Sequence, residues 1–465
     1  MTTKAWGQIG YVRAITVSGN VCHATDCMTH EIGGYLYNIN VYIRVTQIRK
    51  DSKKCWKLYN SMTGDEYDLN DSMYEIIDKI NNKCFNNRDA LIRHICLHCF
   101  IRRQEANSLL DFLLESNIVT KSIEKKINNN ILKKCKYKFP LMYLMFVLTD
   151  RCNLKCVHCY GNYGKTVTDY DELDYSKLVE LMADLDCLHT STVSFTGGEF
   201  FLYEHYQEIF DLFIQRGYKV TIFTNGFCTE KIAEFMAKNN RFAFKLKVSL
   251  DGKKDVHNAI RGNNFSYDNA IRTIELANEY RNVEVSVSTT ILKENLVDLI
   301  SFTRHVKEQF PNAVHDIDIG FPPKLPIDEC FLTLTEIKEL YSKNYSLFHN
   351  KSSQKKIYRC EGGRSLACLD SNLDLKICVI ADTNDFIFGN IKSKSLKDLW
   401  VNPPKTIDKF RHEKVKSTKL CKNCKMYHEC TATDCRIRAQ KYTGDCNLPC
   451  PLTCILETVT YELSF

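Results

Sequence analysis

Three cysteines, Cys152, Cys156 and Cys159, stand in the run Thr149-Asp-Arg-Cys-Asn-Leu-Lys-Cys-Val-His-Cys-Tyr160. Thiolate is the ligand that iron–sulfur clusters demand. One short loop with this spacing reaches three corners of a [4Fe–4S] cube and leaves the fourth iron open. An open iron takes a ligand from a small molecule, so such a cluster does chemistry as well as storing electrons. The same residues also read as a zinc site completed by His158, a disulfide set, or three buried thiols.

The elements around the triad narrow these readings. An apolar run, Leu141–Leu148, leads into it, and Thr196-Gly-Gly-Glu199 closes a second apolar strand. Cys-x-x-x-Cys-x-x-Cys after a first strand, followed by Gly-Gly-Glu after a second, resembles the radical S-adenosylmethionine (SAM) superfamily. The resemblance implies that Cys152, Cys156 and Cys159 each ligate one iron, and that the fourth iron chelates SAM through its amino and carboxylate groups. Gly197 and Gly198 suit a turn where backbone must approach a ligand closely. By resemblance this strand end bonds the methionine amino group, with the Glu199 carboxylate nearby. Asn225, in Thr224-Asn-Gly226, and Ser249 and Asp251, in Ser249-Leu-Asp-Gly252, match the family's strand-end motifs. Ser249 and Asp251 meet the ribose or substrate, or else serve only turn chemistry. Arg261, in His257-Asn-Ala-Ile-Arg-Gly262, resembles an arginine that pairs with the SAM carboxylate, for which a guanidinium fork is suited; a plain surface arginine is the alternative. The implied reaction is reductive cleavage of SAM, with the resulting 5′-deoxyadenosyl radical taking hydrogen from an unactivated carbon.

The alternation of elements that must position these residues supports the reading. Strands are expected at Leu141–Leu148, Thr192–Thr196, Lys219–Thr224, Phe244–Ser249, Val283–Ile291 and Asp316–Phe321. Helices are expected near Tyr175–Asp186, Glu204–Arg216, Glu230–Asn239, Tyr267–Tyr280 and Leu296–Phe310. Apolar strands alternating with helices give a parallel sheet with helical crossovers. Six repeats are too few for a closed eight-stranded barrel, and the resemblance implies a partial (β/α)6 barrel with its active groups at the strands' C-terminal ends.

The chain has 465 residues and 23 cysteines, of which ten fall in Cys360–Cys454. No apolar run approaches the roughly 20 residues of a membrane helix, and the start, Met-Thr-Thr-Lys-Ala-Trp, has no signal-peptide core. A cytoplasmic setting is expected, where metal ligation explains such cysteines better than disulfides do. The tail reads Cys360, Cys368, Cys378, then Cys421-x-x-Cys424, Cys430, Cys435, and Cys446, Cys450, Cys454. Zinc ribbons also use paired Cys-x-x-Cys. With Gly389-Asn-Ile391 and Leu396-x-x-Leu-Trp400 between the two groups, the pattern resembles the SPASM domain, which carries two auxiliary [4Fe–4S] clusters. By position the first would use Cys360, Cys378 and Cys435, and the second Cys421, Cys424 and Cys430 plus one late cysteine. For that last place Cys450, in Pro449-Cys-Pro, matches best and Cys454 next. Cys368 is spaced differently from an extra ligand of some relatives; it either joins the first cluster or lies in a strand Leu366–Leu369, leaving an open iron.

Before the barrel, strands are expected at Asn40–Arg49, Cys55–Asn60 and Glu66–Leu69, then helices at Asp71–Asn81, Arg88–Phe100 and Gln104–Ser116, the first capped by Asn70 or Asp71. The phrase Leu58-Tyr-Asn-Ser-Met-Thr-Gly-Asp-Glu-Tyr-Asp-Leu-Asn70 resembles the PqqD-like, winged-helix recognition element of ribosomally made peptides, which binds a leader peptide as an added strand. A generic α+β cap is the alternative. The expected organisation is 1–120 leader recognition, 121–140 basic linker, 141–322 partial barrel, 323–358 connecting segment and 359–465 SPASM domain. The fold class is α/β: a partial (β/α)6 barrel with an N-terminal winged-helix-like α+β domain and a C-terminal iron–sulfur domain. Together these parts resemble peptide-modifying radical SAM maturases, especially the sactipeptide and ranthipeptide synthases that join cysteine sulfur to carbon. The resemblance implies SAM, three [4Fe–4S] clusters, a precursor peptide and a reducing donor such as flavodoxin or ferredoxin. Carbon–carbon or carbon–oxygen crosslinking and formylglycine formation share the architecture. The net charge of +7 accompanies no nucleic-acid module, and neither nucleic acid nor membrane is expected as a partner.

Overall fold

The computed structural model describes residues 36–50, 53–161, 163–164, 171–320, 329–344, 360–412, 419–427, 430 and 435–462. Two compact units result, one of residues 1–136 with 212–219 and one of residues 137–211 with 220–465.

In the first unit, β2 (Ile43–Lys50), β3 (Lys53–Asn60) and β4 (Glu66–Leu69) form an antiparallel sheet in that order. The strands β1 (Leu36–Ile39) and β5 (Val119–Ser122) pair separately. Three helices follow the sheet: α1 (Asp71–Asn82), α2 (Arg88–Cys99) and α3 (Arg103–Glu115). Met73, Ile76, Ile77 and Ile80 recur at helical spacing and are buried in the core of this unit. Asn70 caps α1 by accepting from the Met73 N–H at 2.8 Å, and Asn87 does the same for Ala90 in α2. Trp56 stacks on Tyr74 with ring centroids 3.6 Å apart and donates to Asp71. The basic stretch expected to be a solvated linker begins inside β5 and, beyond it, carries the buried Asn128. The Asn128 side-chain amide donates to the carbonyls of Asn40 and Ile43 at 2.8 and 2.7 Å, while its N–H donates to Asn81. Ile131 completes the core and bridges to Val45.

The second unit is built on one sheet of nine strands. Six are parallel and lie in sequence order: β6 (Tyr143–Val147), β7 (Thr192–Thr196), β8 (Lys219–Thr224), β9 (Phe244–Ser249), β10 (Val283–Ile291) and β11 (Val314–Ile319). The crossovers include α4 (Tyr175–Glu180) and α5 (Met182–Cys187), where one helix was expected, then α6 (Tyr206–Ile214) and α7 (Thr229–Lys238). After them come α8 (Lys254–Arg261), α9 (Ser266–Asn278), α10 (Lys293–Leu296) and α11 (Leu299–Gln309). The strands are not uniformly apolar. β9 alternates buried Phe244, Leu246 and Val248 with half-buried Lys245, Lys247 and Ser249, because only one face packs under helices. On the other face Lys247 pairs with Asp316 at 3.1 Å and Lys245 with Glu284 at 3.4 Å.

The tail continues this sheet. β12 (Leu366–Leu369) pairs in parallel with β6, Cys368 lying beside Met145, and β13 (Asp374–Lys376) and β14 (Ile387–Asn390) extend it antiparallel. Trp400, at the end of the Leu-x-x-Leu-Trp phrase, is fully buried. It donates to the Phe139 carbonyl at 2.7 Å and lies under the Arg411 guanidinium. The connecting segment holds α12 (Leu334–Lys343); its parts at 323–328 and 345–358 lie outside the described residues. Among the described residues no helix is long and apolar enough to cross a membrane.

Candidate active site

The triad loop leaves the C-terminal end of β6, and neighbouring backbone segments clamp it from two sides, with the Asn225 amide donating to the Asn153 side chain at 2.7 Å. Gly198 N–H donates to the Thr149 carbonyl at 2.7 Å and Glu199 N–H to the Arg151 carbonyl at 2.8 Å. The two chains are so close that a Cβ on Gly198 would lie 2.2 Å from the Arg151 oxygen, and one on Gly197 2.5 Å from the Thr149 oxygen. The glycines therefore serve the approach of the strand end to the triad loop. On the far side, the C-terminus of α8 holds Cys156: Lys155 N–H donates to the Arg261 carbonyl at 3.2 Å and Val157 N–H to that of Ile260 at 2.9 Å. Gly262 ends α8 at φ +66°, where its Cβ would meet the Lys155 oxygen at 2.9 Å.

A cavity of about 260 Å³ opens between these supports. Cys152, Cys156, Cys159, Gly197, Gly198, Glu199, Asn225, Ser249 and Arg261 all line it. Asp251 does not. It is fully buried behind Arg261 and accepts from the Arg261 Nε at 2.6 Å and from the Thr290 N–H at 2.9 Å. Burial pushes the Asp251 carboxyl up, but Arg261, His158 and His257 more than offset this and hold it below the usual carboxylate value. Arg261 also donates from Nη1 to the Cys156 sulfur at 3.6 Å. Glu199 is likewise satisfied from within: its oxygens accept from the Thr224 hydroxyl at 2.7 Å, the Asn225 N–H at 2.8 Å and the Phe201 N–H at 3.2 Å. Burial nonetheless raises its pKa.

Further residues line the cavity that spacing did not single out. Thr290 and Phe223 are the last residues but one of β10 and β8, positions that a parallel sheet marks in advance. His158, which the sequence offered as a zinc ligand, lines it too; its buried Nδ1 has no hydrogen-bond partner among the described residues, and burial lowers its pKa to about 4. The thiols fit iron. Burial pushes Cys152 up to about 12 and raises Cys156 against the pull of Arg261, so each becomes a thiolate when a cation replaces its proton. N–H groups face two of the sulfurs, Arg261 at Cys156 and the Asn225 amide 3.9 Å from Cys152.

In the tail, Cys360 and Cys435 share a hydrogen bond that lowers Cys360 and raises Cys435, and the Cys360 thiol adds to the raised pKa of nearby Cys378. Cys368 is buried in β12, and Cys378 is the first neighbour to add to the effect of burial on it. Cys454 is pushed to about 11 by burial and then by Cys421, Cys430, Cys450 and Cys424. Cys450 is 3% exposed and packs in an apolar cluster with Ile291, Leu299 and Leu340. Cys446 lies apart, its carbonyl accepting from Arg436 at 3.1 Å.

Comparison with known proteins agrees with this layout. Residues 146–306 match the radical SAM superfamily and residues 360–425 the iron–sulfur cluster-binding SPASM domain. The chain is 28% identical over 174 residues to the antilisterial bacteriocin subtilosin biosynthesis protein AlbA of Bacillus subtilis, covering 37% of this chain and 38% of that protein. It is 24% identical over 315 residues to the mycofactocin maturase MftC of Mycolicibacterium smegmatis, covering 62% and 76%. The chain spans about two fifths of the length of the first curated relatives it matches. The crystal structure of Streptococcus suis SuiB bound to S-adenosylmethionine superposes with a TM-score of 0.57 at 15% identity, covering 90% of this chain and 99% of that one. SuiB has also been solved with its precursor peptide SuiA. The second unit has the radical SAM α/β fold, with its parallel sheet and a C-terminal SPASM domain.

Proposed function

We propose that this chain is a radical SAM enzyme that modifies a ribosomally made precursor peptide, forming a thioether between a cysteine sulfur and a peptide carbon. The observation that carries the reading is the meeting of three thiols, a Gly-Gly strand end and a buried guanidinium around one cavity. Cys152, Cys156 and Cys159 would hold three irons of a [4Fe–4S] cluster, and Gly197, Gly198, Ser249 and Arg261 would meet SAM. When bound, this pair supplies one-electron cleavage of a sulfonium and hydrogen abstraction from an unactivated carbon. The chain's own part is to hold and shield. Gly198 and Gly262 let two backbone segments grip the triad loop, and Glu199 ties the end of β7 to that of β8 through Thr224 and Asn225. His158 adds a buried imidazole ring to the cavity wall.

Two auxiliary clusters are part of the proposal. Cys360, Cys378 and Cys435 would hold the first, with Cys368 behind Cys378. Cys421, Cys424 and Cys430 would hold the second, and the neighbours of Cys454 favour it over the core-packed Cys450 as the last ligand. The first unit would take the peptide's leader as an extra strand. Its strand, helix and turn order supports this, and in the order β2-β3-β4 the outer side of β4 has no strand beside it among the described residues. A flavodoxin or ferredoxin would supply electrons.

The test is anaerobic reconstitution with iron and sulfide, followed by reduction in the presence of SAM. The expected product is 5′-deoxyadenosine, lost in Cys156→Ala; none from the wild-type protein refutes the radical chemistry. Cys378→Ala is expected to keep part of the SAM cleavage and lose the finished peptide. With a short cysteine-rich precursor encoded by a neighbouring reading frame, a loss of two hydrogens with cysteine shielded from alkylation supports the thioether. The same loss with cysteine still free refutes it.

A further inference from the structure

Arg261 is the last residue of α8, and its bonds are directed away from a purely ligand-facing role. Nε is taken by Asp251 at 2.6 Å, and Nη1 points at the Cys156 sulfur at 3.6 Å. Asp251 cannot follow a moving partner, because it is fixed from several elements at once. Its other carboxylate oxygen accepts from Thr290 in β10, its N–H donates to His257 Nδ1 in α8 at 3.0 Å, and its carbonyl accepts from the Asn295 amide in α10 at 2.7 Å. The backbone on either side of Cys156 is bonded to the carbonyls of Arg261 and Ile260. Side chain and sulfur are thus locked to the same helix end. Cys152, by contrast, meets neutral groups, the Leu154 backbone N–H and the Asn225 amide at 3.9 Å.

We propose that Arg261, anchored by Asp251, is a positioning residue that acts through Cys156 to raise the reduction potential of the triad's cluster. This rests on the reading that the triad binds such a cluster, and it adds a role that SAM recognition does not contain. Reduction places more negative charge on the sulfurs. An N–H donor and a fixed cation at one of them stabilise the reduced form more than the oxidised one. Asp251 keeps the guanidinium aimed and limits the effect by sitting on its far side.

The experiment is a redox titration followed by EPR on the reconstituted full-length protein, using the signal component that changes when SAM is added. Total iron and sulfide are measured alongside. Arg261→Gln is expected to retain iron and to shift the one-electron equilibrium about tenfold toward the oxidised form, a fall of about 59 mV. Arg261→Lys keeps the charge but cannot serve Asp251 and Cys156 together, and is expected to fall between the two. Asp251→Asn leaves the cation uncompensated, and its potential is expected to move upward. A purely structural role would lower cluster content in all three variants and would not give shifts of opposite sign. If loaded Arg261→Gln titrates within twofold of wild type, the proposal is overturned. It is also overturned if neither Arg261 variant loads a cluster, since Arg261 is then an assembly residue. If the wild-type protein shows no SAM-sensitive signal, and replacing all three triad cysteines removes no iron, the underlying reading fails instead.

Discussion

Gly198→Ala tests whether the cavity is held by backbone contact. The added Cβ would sit 2.2 Å from the Arg151 oxygen, 2.6 Å from the Arg151 carbonyl carbon and 2.9 Å from the Asp150 oxygen. All three are backbone atoms, so no side chain can swing aside, and the two segments must part by about 1 Å to reach ordinary contact. Overpacking of this kind costs about 1–3 kcal/mol. Parting also stretches the Gly198–Thr149 and Glu199–Arg151 hydrogen bonds, each contributing about 1 kcal/mol net. The total is about 3–5 kcal/mol, which for a large unit lowers Tm by on the order of 10 °C. Gly444→Ala is the control. It has φ +76° but nothing among the described residues within 4 Å of its Cβ, so alanine there incurs only the left-handed strain of about 1–2 kcal/mol. Circular-dichroism melts of the metal-free proteins under reducing, anaerobic conditions compare the two. Gly198→Ala is expected to melt well below Gly444→Ala and to bind less iron on reconstitution. If the two variants melt together, or Gly198→Ala stays within about 2 °C of wild type, close backbone approach is not what that glycine serves.

The Asp251–Arg261 pair predicts a pH signature. Because the folded pKa of Asp251 is lowered, its stabilisation is present above the unfolded value near pH 4 and is lost as pH falls through the folded value. Melts below about pH 4 should show the Tm of wild type falling toward that of Asp251→Asn; a gap that does not narrow contradicts the pairing. At pH 7 the same substitution is expected to cost about 3–5 kcal/mol, because it strands a buried guanidinium. Cys454→Ala is expected to remove up to about four irons per chain, whereas Cys450→Ala keeps the iron and melts lower; the reverse pattern in iron analysis reassigns the ligand. Asn128→Ala removes buried bonds to Asn40 and Ile43. It should destabilise the first unit by about 2–4 kcal/mol in urea unfolding, and a loss under 1 kcal/mol would show the packed segment to be incidental.

The strands of the barrel were legible where apolar residues end abruptly at turn chemistry. β7 to β10 run over the expected residues, and glycine or an Asn-Gly or Asp-Gly pair follows the ends of β7, β8 and β9. β11 starts two residues early, at Val314, because its first residues pair with Ser286 and Val287, a demand of sheet register that hydrophobicity does not record. The helix α8 was legible only as a motif. It is short and mostly polar, and its importance lies in which backbone atoms its end presents. Asp251 carried a turn signature, yet its burial behind Arg261 depends on Thr290 and Asn295, some 40 residues away in the chain. β1 and β5 escaped notice for a similar reason: each is four residues long and finds its partner 80 or more residues away. The sequence also left Cys450 and Cys454 undecided. They lie one helical turn apart, with Cys454 N–H bonded to the Cys450 carbonyl at 3.1 Å, and only the packing of Leu452 and its neighbours turns one inward to oil and the other toward sulfur.

The pairing of β12 with β6 bears on how the chain is made. β6 emerges from the ribosome about 220 residues before β12 does, roughly 10–45 s of synthesis. Throughout that interval one side of β6, the strand that leads into the triad, presents unpaired amides and carbonyls, the surface that other nascent chains can zip onto. Truncations that stop before Leu366 make that condition permanent, so a minimal barrel cut from this chain should precipitate unless another strand is supplied. Chimeras that exchange the tail must likewise carry a strand in register with Tyr143–Phe146, whatever clusters they bring.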